Sequence, residues 1–109
     1  MRYVFLNSFP LNAFNITKPT KFYVKPININ ELREKISKTE NKVSYIRHQA
    51  TAELLNKLLN TNLNVSSELY QYNKDDVIYV VILKKPIRGA EINNITENDI
   101  QIYQVEVIE

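Results

Sequence analysis

The chain has 109 residues, with 14 Lys and Arg against 12 Asp and Glu, one His, no Cys and no Trp. That length suits one domain, 1–109, and 44% apolar residues with seven Tyr and four Phe supply a packed core. A net charge of +2 does not coat a long nucleic acid, absent thiols exclude disulfides and zinc-thiolate sites, and one His leaves no ordinary zinc site in a single chain.

In chain order, Tyr3-Val4-Phe5-Leu6 is a continuous apolar run, which predicts a buried strand. It is too short for a signal peptide or a membrane span, so a protein of the cytoplasm is expected. Pro10 precedes Leu11-Asn12-Ala13-Phe14, a short helix with Pro at its start. Lys21 to Lys25 alternates Phe22 and Val24 against Tyr23 and Lys25, as a half-buried strand does. Asn28 with Glu31 three residues on reads as a capping box, opening a helix with Leu32 and Ile36 on one face.

Val43 to Arg47 predicts another strand. Ala50 to Asn60 predicts the main helix, with Leu54, Leu55, Leu58 and Leu59 opposite Glu53 and Lys57. Glu68 to Tyr72 and Val77 to Leu83 flank Asn73-Lys74-Asp75-Asp76, the pattern of a hairpin whose second, wholly apolar strand is central. Asp75 and Asp76 read there as turn formers rather than metal ligands. Thr96 with Asp99 would cap a last helical turn. Gln101 to Ile108 closes the chain as a strand with Tyr103, Val105 and Val107 on one face. The sum is an α/β domain, α+β being the alternative, with a mixed sheet of about five strands flanked by helices.

Gly89 is the only glycine, so the Gly-rich phosphate loops of two common nucleotide folds are missing. No metal or other cofactor is expected. Histidine is the side-chain type that titrates near neutrality, and His48 is the only one. It falls between a predicted strand and the main helix, where unpaired helix N–H groups suit a bound phosphate. The plain alternative is a surface or capping histidine. Arg88, just beyond the central strand, has the planar fork of a phosphate clamp. Glu91 would orient Arg88 or His48, or simply solvate a loop. The tyrosines alternate as core and rim residues, and no RNA-recognition aromatic motif is present.

Four segments in register resemble a known family. Ile46 to Asn56 (IRHQATAELLN) is similar to a His-x-Ser/Ala-Thr motif that opens a helix. Leu6 to Asn12 (LNSFPLN) resembles an L-N-A-F-S-x-N segment. Ile78 to Val81 resembles a central strand, and Arg88 to Glu91, followed after a gap by Thr96 to Ile100, an Arg-x-x-Glu loop. The family is that of the viral ring nucleases, anti-CRISPR proteins of archaeal viruses and phages that act against type III CRISPR defence. The resemblance implies a homodimer with a shared active site that binds cyclic tetra-adenylate in the host cell cytoplasm. It implies cleavage without a metal to linear di-adenylates ending in 2′,3′-cyclic phosphate. His48 would be the general acid, and Asn7, Ser8, Asn12, Thr51, Arg88 and Glu91 would hold the substrate. Pro10 stands where the family usually has Ser, which removes one hydrogen bond to the ligand. Two other classes stay open: a non-catalytic module that sequesters a nucleotide or short RNA, and a viral protein that binds a host protein.

Overall fold

A computed structural model describes residues 2–38, 41–84 and 97–108. Five strands, β1 (Arg2–Leu6), β2 (Lys21–Ile27), β3 (Lys42–Ser44), β4 (Asp76–Leu83) and β5 (Ile100–Ile108), form one sheet in the order β2-β5-β4-β1-β3. Strand β1 runs parallel to β3 and β4, whereas β5 is antiparallel to β2 and β4. The helices α1 (Ile29–Ile36) and α2 (Gln49–Leu59) join them, together with short 3-10 turns at Leu11–Phe14 and Glu97–Asp99. The expected α/β class, the mixed five-stranded sheet and the central placement of the apolar strand β4 are all present.

Alternation along β4 builds two cores. Tyr79 and Val81 face both helices and pack with Phe5, Leu32, Ile36, Leu54 and Leu55. Ile78 and Val80 face the other way, with Val4, Leu6 and Val105, beneath Phe14, Phe22, Tyr45, Tyr70 and Tyr72. Both helices therefore lie on one face, and aromatic side chains brought largely by long connections cover the other. Phe14 anchors that cover, its ring centroid 5.0 Å from Phe22 and 5.5 Å from Phe9.

The predicted capping of α1 is present in altered form. Asn28 Oδ1 accepts from the Glu31 backbone N–H at 2.8 Å, but Glu31 reaches the Asn28 side-chain amide instead of its backbone. Ile29, Leu32 and Ile36 are buried on one stripe. Arg33 ties the helices together by donating from Nε and Nη2 to the Leu58 carbonyl near the end of α2. Asn60 leaves α2 in the left-handed region, and the Asn56 side chain secures the exit through both polar groups of the Leu63 backbone.

Three sequence expectations need correction. Glu68 to Tyr72 is not a strand, so the expected hairpin with β4 does not form. Both hydrogen-bonding sides of β4 are taken by β1 and β5, and this segment crosses the sheet face, burying Tyr70 and bonding Tyr72 N–H to the Ala13 carbonyl. Only the Asn73–Asp76 turn survives, closed by Asp76 N–H to the Asn73 carbonyl at 2.9 Å. Strand β3 stops at Ser44 instead of Arg47; as an edge strand it has one neighbour, and past Tyr45 the chain turns into α2. Strand β2 runs on through Pro26, which an edge strand tolerates, and exposes Val24 as fully as Tyr23. The expected cap residue Thr96 lies outside the described residues.

Candidate functional site

Because β1, β3 and β4 are parallel, their C-terminal ends share one edge of the sheet. Asn7 follows β1, Tyr45 to His48 follow β3, and Lys84 follows β4. In sheets of this type ligands bind just outside such ends. A cavity of about 760 Å³ opens there, walled by Asn7, Ser8, Asn12, Tyr45, Arg47 and Tyr70 among others. Three of the substrate residues expected from sequence thus come together in one wall.

His48 is the residue that enters α2. Its backbone is extended, its carbonyl accepts from Ala52 N–H at 3.2 Å, and its ring Nδ1 lies 3.0 Å from Thr51 Oγ1. Thr51 is only 2% exposed, so a fixed hydroxyl holds an exposed imidazole by one nitrogen and sets its orientation. The His48 side chain makes no capping hydrogen bond to the first turn of α2, and no acidic residue lies in that turn. Its leading N–H groups are therefore placed for an anion beside the histidine. His48 and Thr51 stand next to the cavity rather than in its wall; Arg47, one residue earlier, is the link.

Sequence reasoning did not single out Arg47 as a site residue. Its backbone N–H points at Asn7 Oδ1 at 3.4 Å, and its guanidinium Nη2 donates to the Ser67 carbonyl at 3.3 Å. It thereby joins the ends of β1 and β3 to the 60–75 connection. Tyr45 and Tyr70 were also missed. Their rings meet at 5.1 Å in the cavity wall, and only the fold brings residues 25 positions apart into contact. Arg88 and Glu91 lie outside the described residues.

Behind Tyr70 sits a buried charge. Asp76 accepts from Arg2 Nε and Nη2 at 2.9 and 2.8 Å and from the Tyr70 hydroxyl at 2.6 Å, so it is more than the turn former expected. Burial pushes the Tyr70 hydroxyl well above its ordinary pKa, and the bond to Asp76 adds to this. The bond to Asp76 raises Arg2 as well, with a smaller contribution from Tyr45. Among the described residues no three His, Asp or Glu side chains come together as a metal site, and no helix is long and apolar enough to cross a membrane.

A profile of the STIV B116-like family matches residues 8–107. No curated protein matches the chain. Among solved structures, B116 of Sulfolobus turreted icosahedral virus superposes with a TM-score of 0.78 at 18% identity, covering 96% of this chain and 98% of that one. At that identity the superposition speaks for a shared fold. The family match runs from the cavity wall at Ser8 through His48 to Val107 in β5, and the chain belongs to the STIV B116-like family.

Proposed function

We propose that this protein is a metal-independent ring nuclease that cuts cyclic tetra-adenylate and so blocks type III CRISPR signalling in the cytoplasm of an infected cell. The observation that carries the reading is His48, held by Thr51 at the open N-terminus of α2 beside the cavity. In the reaction the substrate's 2′-oxygen attacks the adjacent phosphorus and the P–O5′ bond breaks. His48, as the imidazolium, donates its proton to the departing O5′; the 2′-OH proton passes to solvent. The products are a 5′-OH and a 2′,3′-cyclic phosphate. General acid help of this kind contributes about 10²–10⁴-fold, and in-line positioning with donors on the phosphate supplies more. Arg47, the helix N–H groups and Arg88 are the donors assigned to the phosphate.

One cavity of this size takes part of the ring, so a two-fold homodimer supplies the rest and a second His48. The exposed apolar side chains at the rim, Phe9, Leu11 and Leu69, support a covered surface there. A second reading, a non-catalytic module that sequesters the nucleotide, is favoured by the position of His48 outside the cavity wall.

Incubation with labelled cyclic tetra-adenylate in EDTA decides between them. Turnover to linear di-adenylates supports the nuclease, and binding without turnover supports the sequestering module. Absence of both refutes each. Light scattering at low micromolar concentration tests the dimer: a 12.8 kDa species that keeps full activity on dilution overturns the shared site.

A further inference from the structure

The cavity carries an aromatic wall that the acid–base reading leaves unused. Tyr45 is half-buried and lines the cavity, and the ring of Tyr70, 5% exposed, backs it at 5.1 Å with a tilt of 57°. Tyr70 in turn is fastened at its hydroxyl to Asp76, whose side chain is 1% exposed and clamped by both Arg2 donors. Arg47, on the same wall, is anchored to Ser67 and to Asn7. A ring held rigidly at a cavity surface, with a guanidinium two residues away, is how proteins bind a base by its π-face and the attached phosphate by charge. We infer that Tyr45 is the stacking platform for one purine base of the bound nucleotide, and that Tyr70, locked by Asp76 and Arg2, is the positioning residue that keeps the platform in place. This deepens the ring-nuclease reading and rests on the same cavity, but the platform makes its own demand: a purine in the cavity, whether or not any bond is cut.

Loss of an aromatic platform weakens nucleotide binding by roughly 5- to 150-fold, whereas exchange of one aromatic ring for another is tolerated. Two probes, cyclic tetra-adenylate and adenosine monophosphate, are titrated against protein carrying ring-labelled tyrosine, with His48→Ala as the background for the cyclic probe so that it is not consumed. The Tyr45 ring resonances should shift with both probes. Tyr45→Leu should weaken binding by at least fivefold and reduce the preference for cyclic tetra-adenylate over cyclic tetra-uridylate. Tyr45→Phe should stay within about threefold of the parent. With His48 intact, Tyr70→Phe keeps its ring but loses Asp76, and should raise KM for cyclic tetra-adenylate while leaving kcat within twofold.

If adenosine monophosphate shifts Tyr45 but the cyclic probe does not bind, the platform stands and the ring-nuclease reading falls. If the ring binds and is cut while Tyr45 resonances do not move and Tyr45→Leu binds as the parent does, the platform is overturned and the nuclease stands. If neither probe binds, both are overturned.

Discussion

Replacing Asp76 by Ala tests a carboxylate whose side chain is 1% exposed. Its carboxylate accepts the Arg2 fork, the Tyr70 hydroxyl and, at 3.2 Å, the Asn73 backbone N–H. Burial by itself would push this carboxyl up, but hydrogen bonds from Arg2 and Tyr70 and the Arg2 charge outweigh it and hold the pKa below the ordinary 3.8. Removing one partner of a fully buried pair costs about 3–5 kcal/mol. Arg2 is 31% exposed and regains water when released, so a loss of about 2–3 kcal/mol is expected here. In a domain of this size that lowers Tm by about 8–15 °C.

The sign with pH follows from the depressed pKa. The contribution of Asp76 is fully present above pH 3.8, and it is lost as pH falls through the lower folded-state value. Thermal melts followed by circular dichroism at neutral pH, and then in steps below pH 4, should show the gap between wild type and Asp76→Asn closing in acid. A variant Asp76→Ala that melts with wild type at neutral pH, or a gap that persists unchanged in acid, would refute the account.

His48→Ala should keep the fold and the oligomeric state but lose about 10²–10⁴-fold in cleavage of cyclic tetra-adenylate; wild-type turnover would remove His48 from the mechanism. Arg88→Ala should weaken binding or cleavage more than Lys84→Ala, and equal losses in a titration with the ring would reduce the site to general positive charge. Tyr79 is fully buried with a hydroxyl that has no partner among the described residues, so Tyr79→Phe should be about 1 kcal/mol more stable in denaturant titrations. Burial pushes that hydroxyl up to about 12 from 10.0, so the folded state keeps its proton longer than the unfolded chain. Wild type should therefore lose stability between pH 10 and 12 more steeply than Tyr79→Phe does.

The elements whose signal is local could be read from the sequence by itself. Seven consecutive apolar residues mark β4 as a central strand, the leucine stripe marks α2, and Asn28 with Glu31 marks the start of α1. His48 at a strand-to-helix junction was legible for the same reason, since the strand and the helix are each defined by their neighbours in the chain. Tertiary structure decided everything that depends on which sides of a strand are free. Glu68 to Tyr72 has residues a strand accepts, yet β1 and β5 already occupy β4, and the segment became the cover of the second core. The cavity wall was settled in the same way. Tyr45 and Arg47 meet Asn7 because parallel pairing of β1 and β3 brings their ends to one edge, and Tyr70 reaches them from the connection that crosses the sheet face. Arg2 and Asp76, 74 positions apart, pair because the register sets them opposite each other on β1 and β4. No local pattern encodes such a meeting, because it follows from hydrogen bonding between strands distant in the chain, and a one-residue slip in that register would turn each side chain to the opposite face.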